Sequence, residues 1–104
     1  MREVFLEELC FELQQCVEKS LKALLIHNNI AFPKTHNIAK LIQLLKDNHF
    51  DISEKIADAV ILSQYAVETR YPEDYEKIDE NEYKEALEIA ENVYNWVKNI
   101  IYFD

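Results

Sequence analysis

Glycine is absent from the 104 residues of the chain, and proline occurs only twice, at Pro33 and Pro72. Glycine is the residue that adopts a positive φ angle at no steric cost, so phosphate-binding loops and nucleophile elbows built on glycine are excluded. Both prolines lie between long stretches in which apolar residues recur at helical spacing. The sequence therefore predicts a helical protein whose irregular backbone is confined to two short joints.

Cysteine is also scarce, with Cys10 and Cys16 as the two thiols of the chain. Six residues turn a helix by about 600°, so the two side chains point in different directions and cannot form a disulfide within one helix. Neither a Cys-x-x-Cys motif nor a metal-ligand spacing is present, and we expect neither a metal site nor a cofactor. The sequence shows no membrane span, leader or lipidation signal, so we expect a cytoplasmic protein that does not bind membranes.

Basic residues are also few in comparison with acidic ones. The formal net charge is −9, which repels phosphate backbones, so we expect no non-specific nucleic-acid binding by the surface as a whole. The distribution is uneven, because residues 19–46 contain five lysines and neither Asp nor Glu. A solvated helix face accounts for this pattern, and so does a local site for an anionic ligand or an acidic partner.

Four helices are predicted in a single domain covering residues 1–104. The first spans about residues 3–27 and is expected to bury a broad apolar stripe, made of Leu6, Leu9, Leu13, Cys16, Leu21 and Leu24 and widened by Phe5, Val17 and Leu25. Asn28 and Asn29 are expected to end it, because Asn tolerates left-handed backbone geometry where glycine is lacking. A short second helix, capped by Thr35 or Asn37, is expected to end at residues 47–49.

The second half of the chain contains two further helical segments. Asp51 with Glu54 resembles a capping box, and the third helix is predicted to run from there to about Ala66. Helical periodicity fails at residues 68–80, which predicts a loop of about a dozen residues. Asp79 with Glu82 resembles a second capping box and starts the final helix.

Three segments then stand out together: residues 11–25 (FELQQCVEKSLKALL), the joint at 32–38 (FPKTHNI) and the loop at 69–72 (TRYP). With the closing amphipathic helix, they resemble the HEPN family in its prokaryotic, nucleotidyltransferase-associated branch. The resemblance implies an all-α fold, namely an antiparallel up-and-down bundle of four helices that usually dimerises. It also implies pairing with a small nucleotidyltransferase in toxin–antitoxin-like modules, and interactions with nucleotides or RNA.

Two departures from the family pattern bear on function. Ribonuclease members carry an Arg followed four to six residues later by a His, whereas the arginines here, Arg2 and Arg70, have no His at that distance. The tyrosine that partner enzymes adenylylate in some members follows that His and has no counterpart either. Members also place a further helix before the segment matching residues 11–25, so we expect a truncated start or a core completed by a dimer mate. On this basis we expect a protein that is not an enzyme.

The two joints supply the candidate ligand-binding residues. Lys34, Thr35 and His36 stand at the N-terminus of the predicted second helix, where backbone N–H groups favour an anion; alternatively, Thr35 and His36 cap the helix and tie the joint to a neighbour. Arg70 offers a planar donor fork and Tyr71 a stacking face, but neighbouring acids are equally able to hold Arg70. A short distance between Arg70 and His36 in the folded protein would favour the ligand-binding role of these residues over the structural one.

The end of the last helix supplies the candidate interface. Trp96 and the run Ile100, Ile101, Tyr102 and Phe103 are predicted to mediate self-association or contact with the nucleotidyltransferase, although core filling accounts for Trp96 equally well. The sequence thus predicts a homodimeric interaction module that pairs with a nucleotidyltransferase and binds a nucleotide or other anion. The alternatives are a ribonuclease toxin with a non-standard site built from Lys34, His36 and Arg70, and a stand-alone nucleotide-binding protein.

Overall fold

The computed structural model describes residues 2–66 and 78–103, with side chains for 6–66 and 78–102. Across these residues the chain is an all-α helical bundle without a β-strand. Its elements are α1 (Arg2–His27), α2 (Ile38–Asp47), α3 (Glu54–Ala57), the 3₁₀ helix η1 (Asp58–Tyr65) and α4 (Glu80–Phe103). None of the described helices combines the length and the apolar composition that crossing a bilayer requires.

The core lies mainly between the two long helices, α1 and α4, which share the most extensive contact in the bundle. On α4 the buried face consists of Ala86, Ala90, Val93 and Val97. Their small side chains allow the helices to approach closely. The shorter elements α2, α3 and η1 then cover part of this pair with Ile38, Leu41, Ile42, Leu45, Ile56, Ala59, Leu62 and Tyr65.

The buried stripe of α1 differs from the predicted one in its first half. Cys10 and Gln14, which lie outside the predicted stripe, are fully buried together with the predicted Val17, whereas the predicted Leu13 and Cys16 are half-exposed. The reason is that Gln14 and Glu18 belong to the same helix face as Cys10, Val17 and Leu21. A stripe predicted from apolar residues alone is therefore displaced by one residue from the face that is buried in this half of α1.

The C-terminus of α1 is closed by a Schellman motif without glycine. Asn29 takes a left-handed φ of 58°. The N–H of Ile30 donates to the carbonyl of Leu25 at 2.9 Å, and the N–H of Asn29 donates to that of Ile26 at 3.0 Å. The prediction that Asn ends this helix is confirmed.

The C-terminus of α2 repeats the same arrangement with a histidine. His49 has a φ of 73°. The N–H of Phe50 donates to the carbonyl of Leu45, and the N–H of His49 donates to that of Lys46, both at 3.0 Å. The short second helix and its predicted end are confirmed, and the left-handed position is occupied by a residue other than Gly or Asn.

The third helix departs from the prediction in its start and in its type. Ser53 caps it by accepting the N–H of Ile56, so the predicted capping box at Asp51 is wrong. After Ala57 the chain becomes the eight-residue η1, a long stretch for this helix type. Ala59, Leu62 and Tyr65 are buried at intervals of three, and 3₁₀ geometry places such residues on one face.

Most of the predicted loop before α4 lies outside the described residues, but its two ends are joined. The phenol of Tyr65, at the end of η1, donates a hydrogen bond to the carboxylate of Glu82 in the first turn of α4. Asp79 caps α4 by accepting the N–H of Glu82 at 2.8 Å, as predicted. The end of η1 thus packs beside the start of α4, so the two helices run antiparallel.

Candidate functional site

A buried carboxylate on α1 is the centre of the candidate site. Glu18 is almost inaccessible to solvent, and its oxygens accept hydrogen bonds from three side chains. Gln14 Nε2 donates at 3.1 Å, Lys22 Nζ at 2.9 Å, and His36 Nδ1 lies 3.0 Å from both oxygens. Because a buried charge must be paired and hydrogen-bonded, this set of donors explains how α1 holds a glutamate on its core face.

These donors also set the ionisation of the carboxyl group. Burial by itself raises the pKa of Glu18, because a low dielectric disfavours the charged form. The hydrogen bonds from Lys22, Gln14 and His36, together with the charge of Lys22, act in the opposite direction and outweigh it. The pKa of Glu18 is therefore lowered, and the side chain is a carboxylate at neutral pH.

His36 is oriented by this carboxylate while remaining open to solvent. An ionised carboxylate only accepts hydrogen bonds, so Nδ1 of the imidazole carries the shared proton. The side chain of His36 is 75% exposed although Glu18 is buried. The Nε2 edge is consequently the part of the ring that a ligand or a proton can reach.

The side chain of Lys22 takes part in this network through its contacts with Glu18 and Phe32. Its ammonium forms the ion pair with Glu18 and lies 6.0 Å from the centre of the Phe32 ring, within the range of a cation–π contact. Phe32 itself is half-buried and packs against the core. One of the five lysines in the acid-free stretch therefore neutralises an internal charge and is not presented to a ligand.

The residues of the joint behave partly as helix caps. Thr35 Oγ1 accepts the N–H of Asn37 at 3.0 Å, and Asn37 Oδ1 accepts the N–H of Lys40 at 3.2 Å. Asn37 is thus the N-cap of α2, and Thr35 supports it. His36 ties the joint to α1, and Lys34 is exposed with no ion pair among the described residues.

The other two predicted ligand-binding residues belong to the second joint of the chain. Arg70 and Tyr71 lie outside the described residues. Their proximity to His36 therefore stays a prediction.

The predicted interface residues differ in exposure. Trp96 is half-buried and meets Phe50 edge to face, with ring centroids 6.4 Å apart. Ile100 and Ile101 are half-buried against the core, and Tyr102 is 75% exposed. Phe103 is the last residue of α4, and its side chain lies outside the described set. Trp96 thus takes part in core packing, and the accessible apolar surface at this end centres on Tyr102.

Sequence reasoning missed three members of the site, Gln14, Glu18 and Lys22. For Gln14 and Glu18 the available signal was their position, because both fall on the helix face defined by Cys10, Val17 and Leu21. A polar residue on a core face requires a partner, which points to a buried network. Within residues 6–66 and 78–102, no three His, Cys, Asp or Glu side chains are grouped closely enough to hold a metal ion.

The family model described as the HEPN domain matches residues 1–100 of the chain. No curated protein and no solved structure shows significant similarity to it.

Proposed function

Since the chain belongs to the HEPN domain family, we propose that it is a non-catalytic interaction module. In this proposal it forms a homodimer, associates with a nucleotidyltransferase as a toxin–antitoxin-like pair, and holds a nucleotide or another anion at the joint before α2. Catalysis belongs to the partner enzyme. The protein acts in the cytoplasm.

The observation that carries the anion-binding part is the pair formed by His36 and Glu18. A buried carboxylate holds the exposed imidazole in one orientation, which reduces the entropy lost when a ligand binds. Lys34, two residues before His36, adds a cation to the joint. The helix dipole places a partial positive charge at the N-terminus of α2, which also favours an anion. These features support a small anionic ligand at the joint rather than a long nucleic acid, which the net charge of −9 repels.

Nucleotide binding is tested by calorimetric titration of the purified protein with ATP and with GTP. We expect micromolar binding that weakens about tenfold, or roughly 1.4 kcal/mol, in His36→Ala. His27→Ala is the matched control, because His27 is also an exposed histidine beside a helix end. Equal weakening in both variants would show that the joint is not the site.

Association with the enzyme is tested by co-expression with a nucleotidyltransferase encoded beside this chain. We expect the two proteins to co-purify as a complex of fixed stoichiometry. Nucleotide binding without co-purification would favour the stand-alone nucleotide-binding protein instead. Absence of both would contradict the proposal.

One observation favours a second candidate, a ribonuclease. A carboxylate that orients the Nδ1–H of an imidazole and leaves Nε2 free is the arrangement used in general acid–base catalysis. In this alternative His36 takes the proton of a ribose hydroxyl, and Lys34 with Arg70 neutralises the phosphate.

The ribonuclease alternative is tested by incubating the protein with total RNA. Cleavage by the wild type that is lost in His36→Ala and reduced in Glu18→Gln would support it. Undiminished cleavage by His36→Ala, or no cleavage by the wild type, removes this candidate.

A further inference from the structure

An open groove lies on the side of the bundle where η1 meets α4. Its volume is about 370 Å³, and its first wall consists of Lys55, Asp58 and Ile61. Lys55 belongs to α3, whereas Asp58 and Ile61 lie three residues apart in η1, where such spacing aligns side chains on one edge. Ile61 is 57% exposed, so its aliphatic side chain is accessible on this wall of the groove.

The second wall belongs to α4 and consists of Glu85, Glu88, Ile89 and Asn92. Their positions at i, i+3, i+4 and i+7 form one face of the helix. The wall is about 10 Å long, since each helical residue rises about 1.5 Å. The groove is therefore bounded by α3 and η1 on one side and by α4 on the other, and it covers about two turns of α4.

The charges of the groove are unbalanced. Asp58, Glu85 and Glu88 supply three carboxylates, and Lys55 supplies one ammonium. Among the described residues, none of these four side chains takes part in an ion pair or a hydrogen bond. The carboxylates thus remain available to cations brought by a partner.

The charge and the helical walls of the groove limit the kind of partner that can bind there. Carboxylates on both walls repel nucleic acids and anionic membranes. The walls are helices, whose backbone N–H and C=O groups form hydrogen bonds within each helix. Residues 2–66 and 78–103 contain no strand edge either, so an extended peptide would find no main-chain groups to pair with. Ile61 and Ile89 offer one apolar contact from each wall, which suits the apolar face of a helix.

We propose that this groove docks a basic amphipathic helix of a partner protein. The apolar face of that helix packs on Ile61 and Ile89, and its Lys or Arg side chains pair with Asp58, Glu85 and Glu88. The groove is separate from the joint at His36 and from the end of α4 at Tyr102. This docking site therefore does not depend on the function proposed above.

The test uses a synthetic peptide of about 18 residues, with leucines on one helical face and lysines on the other, long enough to form a helix. Titration into the isotope-labelled full chain is followed by NMR, which gives both the affinity and the residues affected. We expect saturable micromolar binding with the largest shifts at Ile61 and Ile89. A peptide with the same leucines and Glu in place of Lys is expected not to bind.

Variants of the groove separate a specific site from diffuse attraction. We expect the double change Glu85→Lys and Glu88→Lys to weaken binding by about tenfold or more. The matched control is Glu8→Lys with Glu12→Lys, which makes the same change of net charge at exposed positions of α1. This control is expected to weaken binding by less than about twofold. Ile61→Ala is expected to weaken binding severalfold while leaving the fold intact, because the side chain is exposed.

Several outcomes overturn the proposal. These are no saturable binding, equal binding of the acidic peptide, equal losses in the two double variants, or shifts centred on another face. Concentration-dependent shifts at Ile61 and Ile89 without peptide would instead identify a second copy of this chain as the occupant.

Discussion

Glu18 shows how one buried residue links two segments of the chain. It lies on the core face of α1, and its carboxylate contacts His36, eighteen residues further along. The contact holds the joint between α1 and α2 against the first helix. Gln14 and Lys22 complete the set of donors, so that the buried charge is satisfied.

The pH dependence of stability follows from the lowered pKa of Glu18. A carboxyl group with a folded pKa below its unfolded value stabilises the fold above the unfolded pKa of about 4.3, and this contribution is lost as the pH falls through the folded pKa. Glu18→Gln is expected to reduce the free energy of unfolding by about 1–2 kcal/mol at neutral pH. The difference from the wild type is expected to shrink under acid conditions.

Urea denaturation of the wild type and Glu18→Gln, near pH 7 and near pH 3.5, measures this difference. Glu12→Gln is the control on the same helix, because Glu12 is exposed. A difference between the wild type and Glu18→Gln that stays constant across this range would argue against an ionised Glu18 as the source.

Tyr65 provides a second test at the scale of a residue. Its buried phenol donates to Glu82 and so joins the end of η1 to the first turn of α4. Tyr65→Phe is expected to lower the free energy of unfolding by about 1–2 kcal/mol, because the hydrogen bond goes to a charged group. Tyr94→Phe is the matched control, since Tyr94 is half-exposed on α4, and it is expected to change stability by less than about 0.5 kcal/mol. Equal effects of the two changes, measured by urea denaturation, would count against this role.

The ends of α1 and α2 show how helices are closed in a chain without glycine. Asn29 and His49 both occupy the left-handed position of a Schellman motif. Asn28 and Asn48 precede them, and each amide donates to a carbonyl four residues earlier. Side-chain amides therefore supplement the backbone hydrogen bonds at both ends.

His49→Gly is expected to raise the free energy of unfolding by about 0.5–1 kcal/mol. A left-handed residue with a Cβ atom costs about 1–2 kcal/mol, and glycine removes this cost while adding entropy to the unfolded chain. The gain is to be measured by urea denaturation. Lys46→Gly, an exposed change within α2, is expected to lower stability by about 1 kcal/mol, and a loss in both variants would be inconsistent with strain at His49.

The burial pattern of η1 gives a test of that element. Leu62 is fully buried and its neighbour Ile61 is 57% exposed. Leu62→Ala is therefore expected to lower the free energy of unfolding by about 2–5 kcal/mol, and Ile61→Ala by less than about 0.5 kcal/mol. Similar losses in chemical denaturation would contradict the three-residue periodicity of this segment.

At the scale of the whole molecule, the bundle is elongated, with extents of 42 × 25 × 20 Å. Helices of 26 and 24 residues are about 39 and 36 Å long, close to the longest dimension, whereas α2 has ten residues. The short elements therefore cover only part of the α1–α4 pair. Half-buried Ile100 and Ile101 and exposed Tyr102 lie at the end of α4, which supports the proposal of an interface there.

Dimerisation through this end is tested with Tyr102→Glu. A charge placed in the centre of an interface is expected to raise the dissociation constant of the dimer by about tenfold or more, measured by sedimentation equilibrium. Ile26→Glu is the matched control, because Ile26 is an exposed apolar residue at the end of α1 and lies outside the predicted interface. A wild type that remains monomeric, or an equal effect of the control, would argue against this interface.

The sequence alone determined the helical class, the extents of α1 and α2 and the cap at Asp79, and it limited the cap of α2 to Thr35 or Asn37, because periodicity and capping depend on residues that are close in the chain. The tertiary structure decided that Glu18 is buried, that it meets His36, and that the third helix becomes η1 with Leu62 inside. Each of these depends on packing against distant segments, whose energy exceeds local preferences of a few tenths of a kcal/mol per residue.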